Sequence, residues 1–266
     1  MSRPRVLLTN DDGIRAPGIA AMWRALREWA DVTVVAPETH QSATGHGVTL
    51  REPLMTAEVQ GEGEMRGIAV EGRPADCVKL ALSQLCPEAE LVVSGINMGA
   101  NSGINVFYSG TVAAAVEGAF LGRRAIAVSK YLRRDVEDDY DWAATLAMRA
   151  IKPLVEGEGV RPGEVVSINI PAVADGEEPR GVVAVPQCVR AMDDEFERRE
   201  SPRGQVYYWN TGLFTLDGSE RGTDVYALRE KFVTVTPLHF DLTARERLGR
   251  VGSAIETKRQ RDEETR

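Results

Sequence analysis

Two neighbouring carboxylates, Asp11 and Asp12, follow a short apolar run at residues 6–9. Adjacent carboxylates repel each other unless a cation or a proton lies between them. A hard divalent cation would relieve that repulsion, because Mg²⁺, Mn²⁺ and Ca²⁺ bind carboxylate, amide and hydroxyl oxygens. The pair fits a capped turn equally well, since Asp and Asn favour turns and Gly13 follows directly.

Two further oxygen-bearing side chains could complete a cation site with this pair. Asn97 lies in a glycine-rich stretch at residues 94–101, and Ser42 lies in a polar segment at residues 37–47. Considered alone, Asn97 would brace a turn through hydrogen bonds to the backbone, and Ser42 would be an ordinary loop serine. His40 and His46 share the polar segment and could protonate a leaving group, but the sequence assigns neither of them a role.

A second group of residues has the chemistry of an anion site. Ser109, Gly110 and Thr111 precede an alanine-rich run that predicts a helix. Glycine lets the backbone approach a ligand closely, and the free N–H groups at a helix start attract phosphate. Taken singly, these features also fit a tight turn and an ordinary helix N-cap.

The elements around these residues alternate between strand and helix. An apolar strand at residues 6–9 is followed by a helix that begins at Pro17 and by a β-branched strand at residues 32–36. Further strands are predicted near residues 91–94, 125–129 and 165–170, with helices at 111–121 and 141–155 between them. This order predicts an α/β protein with a doubly wound, mostly parallel sheet.

The pattern changes after residue 186, which sets the predicted domain boundaries. Residues 1–186 form the predicted core, 187–250 a C-terminal β-rich extension, and 251–266 a charged tail. Within the extension, residues 193–203 are expected to be an exposed loop, and strands are expected at 206–209 and 232–236.

Composition and missing motifs exclude several classes of protein. The net charge of −8 disfavours nucleic-acid polymers and anionic membranes as partners. No apolar run approaches the length of a membrane span, and three cysteines without CxxC spacing fit a reduced, cytoplasmic protein. The motifs GxxxxGK[ST], GxGxxG, GxSxG and HExxH do not occur, so kinase, dehydrogenase, serine hydrolase and zincin activities lack support.

Taken together, the motifs resemble the SurE family, the survival-protein-E nucleotidases. The matching stretches are LLTNDDGI at 7–14, Ser42 in its loop, SGINMGAN at 94–101 and YSGTVAAAVEG at 108–118. Weaker matches lie at residues 223–224 and 233–238. Three positions depart from the family pattern: Ala43 and Lys231 stand where glycine is usual, and Arg73 stands where threonine is common.

The resemblance implies a metal-dependent phosphomonoesterase that acts on nucleoside 5′- or 3′-monophosphates. One divalent cation, Mg²⁺ or Mn²⁺ with Ca²⁺ as a crystal substitute, would be held by Asp11, Asp12, Ser42 and Asn97. The resemblance also implies a Rossmann-like core whose C-terminal extension exchanges between subunits in a homodimer or homotetramer. The expected catalytic residues are Asp11, Asp12 and Asn97, and the expected phosphate contacts are Asn10, Gly99, Asn101, Ser109, Gly110 and Thr111.

The mechanistic hypothesis is in-line attack of a cation-activated water on phosphorus, with the phosphate charge stabilised by backbone N–H groups. Three alternatives remain open at this stage. The first is a broad phosphatase or exopolyphosphatase, and the second is a non-catalytic nucleotide or metal sensor. The third is a haloacid-dehalogenase-type enzyme, although that class expects Asp-x-Asp after the first strand.

Overall fold

The computed structural model describes residues 3–133, 135–136, 139–174, 176–190, 195–211, 216 and 219–255. Within these residues, nine strands form one sheet and two more form a separate antiparallel hairpin. The strands of the main sheet are β1 (Arg5–Thr9), β2 (Asp31–Pro37), β3 (Thr56–Gln60), β4 (Arg66–Val70), β5 (Leu91–Met98), β6 (Arg124–Lys130), β7 (Val165–Ile170), β8 (Val182–Ala184) and β11 (Val233–Leu238); the hairpin strands are β9 (Phe196–Glu200) and β10 (Val206–Asn210).

The main sheet is parallel through its centre, with antiparallel strands toward both edges. Its order is β3-β4-β2-β1-β5-β6-β7-β11-β8, and the six strands from β4 to β7 run parallel. The central strands are apolar on both faces, as expected for strands covered by helices on both sides. The predicted doubly wound, mostly parallel sheet is therefore confirmed.

Helices cover both faces of the sheet. Helices α1 (Pro17–Arg27) and α4 (Tyr140–Glu156) pack on one face, while α2 (Pro74–Leu80) and α3 (Gly110–Phe120) pack on the other. A short helix, α5 (Asp224–Arg229), precedes β11. In the described ranges, no helix has the length and apolar character needed to cross a bilayer.

The glycine-rich stretch differs from the prediction, because β5 does not end before it. The strand runs on to Met98, with a shift in its pairing to β6 between Ser94 and Asn97. At this shift Gly95 has a φ of +138°, and a methyl group on it would lie 2.2 Å from the carbonyl oxygen of Val128. Only glycine fits so close an approach, so this part of the stretch serves strand geometry rather than a loop.

The predicted extension consists of two structurally different parts. Helix α5 and strand β11 return to the main sheet, where β11 pairs with β7 and β8. Only the hairpin of β9 and β10 stands apart, and β9 replaces the loop expected at 193–203. Both faces of β9 are exposed, so charged residues occupy both of them and the sequence lacks the alternation of apolar and polar residues that predicts a strand. Residues 191–194 and the tail residues 256–266 lie outside the described residues.

Two of the three departures from the family pattern occupy left-handed backbone. Ala43 has a φ of +54° and Lys231 a φ of +63°. Lys231 ends α5 by donating its N–H to the carbonyl oxygen of Leu228 at 3.0 Å, a position where helices commonly use glycine.

Replacing Lys231 by glycine is expected to stabilise the protein relative to replacing it by alanine. Both variants lose the ion pair between the Lys231 ammonium and Glu177, so the two differ only in the Cβ atom that the left-handed conformation disfavours. The free energy of unfolding in urea should be higher for Lys231→Gly by about 1 kcal/mol. Equal stability of the two variants would contradict the strained backbone at this position.

Candidate active site

The candidate site lies where β1 and β5 end side by side. The two strands pair in parallel, with Thr9 opposite Ser94, so the residues after Thr9 meet the end of β5 at one edge of the sheet. Open α/β sheets bind ligands at this carboxyl edge. The edge therefore brings Asp11 and Asp12 near Asn97, which lies more than 80 residues further along the sequence.

Asp11 is buried against the start of α3. Its Oδ1 accepts a hydrogen bond from the Thr111 hydroxyl. Burial, together with the neighbouring charge of Asp12, raises the pKa of Asp11 to about 6, against the opposing effect of the Thr111 hydrogen bond. The ionised form of Asp11 is therefore short of compensating positive charge, which is the property expected of a carboxylate that faces a cation.

Asp12 links the end of β1 to the end of β5. Its Oδ2 accepts a hydrogen bond from the backbone N–H of Met98 at 2.9 Å, and its side chain is 9% exposed. His40 approaches from the other side, with Nε2 at 3.9 Å from Asp12 Oδ1. Asp12 thus lies between a strand that carries Asn97 and a loop that carries Ser42.

The loop of Ser42 is tied directly to the carboxylate pair. Gln41 donates its N–H to the carbonyl oxygen of Asp11 at 2.7 Å, and a hydrogen bond joins His40 Nε2 to Ser42 Oγ. The four predicted cation ligands are therefore connected through backbone bonds and through His40. His40 belongs to the site, which the sequence alone did not decide.

His46 has a different position, away from the carboxylate pair and against the middle of α3. Its Nε2 lies 2.8 Å from Oε2 of the buried Glu117, whose Oε1 accepts from Lys79 at 3.2 Å. Burial would raise the pKa of Glu117, but the hydrogen bonds from His46 and Lys79 outweigh it and hold that pKa below its usual value. The His46 ring also stacks on Phe120. His46 therefore anchors the loop that presents Ser42.

Buried Asp76 anchors the same loop a few residues further along. It accepts from the N–H of Thr49 at 2.8 Å and from the Thr49 hydroxyl at 2.7 Å. It also accepts from the N–H of Arg73 at 2.9 Å, so the Asp76 side chain, in the first turn of α2, caps the N–H of the residue before the helix.

Asn97 and Asn10 each use their amide nitrogen within the protein. Asn97 Nδ2 donates to the carbonyl oxygen of Gly99 at 2.7 Å, and Asn10 Nδ2 donates to that of Gly13 at 2.8 Å. Asn10 is fully buried, and its Oδ1 has no hydrogen-bond partner. For Asn97, the hydrogen bond to Gly99 restrains the side-chain amide beside Asp12 and Met98.

Two of the predicted phosphate contacts have donors that are engaged within the protein. The N–H of Gly99 donates to the carbonyl oxygen of Lys130 at 3.0 Å, and that of Asn101 donates to Asn169 Oδ1 at 2.8 Å. The Asn101 side chain is also engaged, because its Nδ2 donates to Ser129 Oγ at 2.9 Å. These bonds hold the loop after β5 in shape, and a phosphate contact from either residue stays a prediction.

Ser109, Gly110 and Thr111, the predicted anion-binding group, lie at the start of α3. Ser109 is the N-cap, with its Oγ accepting from the N–H of Val112 at 3.0 Å, which leaves the hydroxyl proton available. Gly110 packs directly on Asp11: a methyl group there would lie 3.0 Å from Asp11 Oδ2 and 3.2 Å from Pro74 Cγ. The helix start is thereby placed beside the carboxylate pair.

Asp224 lies outside the predicted site and supports the loop that follows β5. It is buried and accepts from the N–H of Gly103 and from the N–H of Cys188, each at 2.8 Å. The weak family match at residues 223–224 was the only sequence signal for it. The role of Asp224 follows only from the structure, because Gly103 and Cys188 are far from it in the sequence.

The donor set suits a hard, oxygen-binding cation. Within the described ranges, no three His, Cys, Asp or Glu side chains cluster as a metal site. A cation here would therefore need the amide oxygen of Asn97 and the hydroxyl of Ser42 beside the two carboxylates. Such mixed oxygen donors fit Mg²⁺ or Mn²⁺ better than a softer metal.

Fold and site together define a Rossmann-like α/β protein with an acidic ligand site at the carboxyl edge of its sheet. The family model described as Survival protein SurE matches residues 6–194, and the chain belongs to this family. A protein from Syntrophobacter fumaroxidans named 5′-nucleotidase SurE is 43% identical over 249 residues, covering 93% of this chain and 98% of that protein. One of the same name from Rhodopirellula baltica is 46% identical over 241 residues, covering 90% and 94%.

A solved structure agrees with this assignment. The crystal structure of the SurE protein from Aquifex aeolicus superimposes with a TM-score of 0.81 at 33% identity, covering 94% of this chain and 99% of that one. The predicted family and the Rossmann-like fold are both confirmed.

Replacing Gly110 by alanine is expected to weaken divalent-cation binding, because the added methyl group would push Asp11 out of place. Isothermal titration with Mg²⁺ should show a loss of about tenfold or more in affinity, as for other disturbances of ligand positioning. Gly249→Ala is the matched control, because nothing lies within 4 Å of its added methyl group. Unchanged Mg²⁺ affinity in Gly110→Ala would contradict the placement of Asp11 as a ligand.

Proposed function

We propose that the chain is a divalent-cation-dependent phosphomonoesterase that hydrolyses nucleoside 5′-monophosphates, and 3′-monophosphates as well, to nucleoside and phosphate. The observation that carries this proposal is the contact between the start of α3 and Asp11, which puts phosphate-binding N–H groups beside two carboxylates. The 5′-nucleotidase names of relatives at 43% and 46% identity support the choice of substrate.

The cation would be held by Asp11, Asp12, Ser42 and Asn97, one per subunit, with Mg²⁺ or Mn²⁺ as the ion. When bound, it would supply Lewis-acid chemistry, by neutralising a phosphate oxygen and by making a water more acidic. The two carboxylates offset its charge, and their separate anchors, Thr111 and the N–H of Met98, keep them from turning away when the substrate leaves.

The protein itself contributes orientation and electrostatic stabilisation. At the start of α3, the N–H of Gly110 and the Ser109 hydroxyl would bind equatorial phosphate oxygens and stabilise their charge during transfer, while the hydroxyl and N–H of Thr111 hold Asp11 in place. Asp11 or Asp12 would orient the attacking water or take its proton. His40, which lies beside Ser42 and Asp12, would give a proton to the leaving oxygen.

We also propose that the protein acts as a homodimer or homotetramer assembled through its hairpin. Every residue of β9 and β10 is exposed, including Phe196, Tyr208 and Trp209. A two-stranded hairpin is marginally stable alone, and successive strand residues face opposite sides, so both apolar faces need a covering partner. The helical residues 248–255 add a second exposed apolar row: Leu248, Val251 and Ile255.

Phosphate release tests the proposed activity, with 5′-AMP, 3′-AMP, an aryl phosphate and polyphosphate as substrates. Release should stop after EDTA treatment and return with Mg²⁺ or Mn²⁺, and Asp12→Asn should reduce kcat by about a hundredfold or more. Asp31→Asn, which changes a carboxylate at the opposite edge of the sheet, should leave kcat unchanged.

Three outcomes would refute parts of this proposal. Wild-type kcat in Asp12→Asn would exclude the cation site as assigned. Preference for polyphosphate over nucleotides would favour the broader phosphatase, and nucleotide binding without phosphate release would favour the sensor.

The proposed assembly predicts that a double substitution on the hairpin, Tyr208→Glu with Trp209→Glu, yields a smaller species. Charges on both faces would have to be buried against a partner without compensation. Light scattering after size-exclusion chromatography should show the loss of the wild-type oligomer, while Glu197→Gln on the same hairpin should keep it. A monomeric wild-type protein would rule the assembly out.

A further inference from the structure

A cavity of about 350 Å³ opens beside the candidate site on the α1 side of the sheet. Its wall includes Asp12, Arg15, Glu38, His40, Met98 and Tyr140. Because its wall begins at Asp12 and His40, the cavity adjoins the place where the carboxylate pair would hold a phosphate ester. Its volume lies in the range of small-molecule sites, about 300 to 1,000 Å³.

The floor of the cavity depends on a close contact between α1 and β5. Gly18, in the first turn of α1, lies so near β5 that a methyl group on it would stand 2.0 Å from the carbonyl oxygen of Ile96 and 3.4 Å from the Tyr140 ring. Glycine at this position lets the helix start, the strand end and Tyr140 meet. The space above this junction is therefore walled by rigid elements rather than by loops alone.

The chemistry of the wall is mixed in a way that suits a flat heterocycle. Tyr140 carries the Lys130 ammonium over its ring, 5.3 Å from the centroid, and lines the cavity with the rest of its aromatic surface. Met98 offers a thioether side chain that is 53% exposed although its backbone is fixed on Asp12. Exposed methionine and aromatic side chains at a cavity favour planar, polarisable ligands. A sugar or an inorganic phosphate chain would gain little from this apolar part of the wall.

The polar part of the wall presents one donor group and one acceptor group. Arg15 and Glu38 are both exposed, and neither forms an ion pair in the part of the chain that the structure describes. A guanidinium donates only and a carboxylate accepts only. Together they match a ring that carries both acceptors and donors at its edge, as a nucleobase does.

We propose that this cavity is the subsite for the nucleobase of the substrate, with Arg15 and Glu38 as its polar contacts and Met98 and Tyr140 as its stacking surface. The proposal rests on the nucleotidase function proposed above and adds where the leaving nucleoside lies. It assigns Arg15 and Glu38, which carry no part of the phosphate chemistry, to the choice of base.

A second exposed aromatic surface exists on the opposite side of the site, at Phe107 and Tyr108 just before Ser109. It lies on the α3 side, whereas the cavity lies on the α1 side. The two surfaces place the base in different directions from the phosphate. Variants on each side therefore separate the two possibilities.

The experiment compares 5′-AMP with ribose 5-phosphate, which has the same phosphate and sugar but no base, in the presence of Mg²⁺. The variants are Arg15→Ala and Met98→Ala in the cavity, Tyr108→Ala on the opposite side, and Arg66→Ala as a matched control in a separate groove along β2, β3 and β4. The two cavity variants should each raise KM for 5′-AMP by about tenfold and leave KM for ribose 5-phosphate within about twofold. Arg66→Ala should change neither.

Adenosine binding, measured by isothermal titration, makes the result independent of turnover. Weaker adenosine binding in Arg15→Ala and Met98→Ala but not in Tyr108→Ala or Arg66→Ala supports the subsite, even for a preparation that releases no phosphate. Equal adenosine affinity in all variants, no adenosine binding by the wild type, or a loss confined to Tyr108→Ala would overturn it. Absence of phosphate release from every ester would instead refute the proposed nucleotidase function.

Discussion

The whole arrangement depends on the contact between α3 and the end of β1. The helix start can meet Asp11 only because residue 110 is glycine, and the Thr111 hydroxyl then holds the buried carboxylate in place. Two opposing electrostatic features meet there: positive partial charge from the helix dipole and negative charge from an aspartate pair. The proposed phosphate ester with its cation would satisfy both. Without that contact, the glycine-rich stretch and the carboxylates would be separate features of the sheet edge.

Buried carboxylates also stabilise the loop between β2 and β3, which has no regular secondary structure. Residues 38–55 lie between two strands, yet the loop is fixed at several points. Glu117 binds His46, Asp76 binds Thr49, and Gln41 is bonded to the backbone of Asp11. Charge-assisted hydrogen bonds in buried surroundings are stronger than neutral ones. A few of them therefore fix this loop without the backbone hydrogen bonds of a sheet. Ser42 is presented by this framework.

The sequence was sufficient for the fold and for the residues with the most distinctive chemistry. Apolar strands alternating with helices predicted the sheet, and Asp11 and Asp12 stood out because adjacent carboxylates are costly. The sequence could not show which N–H groups are already engaged within the protein. Those of Gly99 and Asn101 donate to Lys130 and Asn169, which lie on the distant strands β6 and β7. The sequence also could not reveal β9, since a strand exposed on both faces has no apolar alternation to detect.

The local backbone conformation shows how the structure accommodates the departures from the family pattern. Ala43 and Lys231 keep a left-handed backbone that glycine would adopt at lower cost. The surrounding structure imposes this conformation, through the loop anchors around Ala43 and the helix end before Lys231. Arg73 keeps the backbone part of the helix cap, because its N–H donates to Asp76 Oδ2.

The ring contacts at the end of α3 join parts of the molecule that would otherwise be independent. Phe120 stacks on His46 of the Ser42 loop and meets Phe240, just beyond β11, edge to face at a centroid distance of 4.6 Å. The chain after Phe240 leads to the exposed apolar row at residues 248–255. Helix α3 thus has the predicted phosphate-binding residues at one end and a cluster of three rings at the other. Two ring contacts therefore join the segment after β11 to the Ser42 loop, at the end of the helix opposite Asp11.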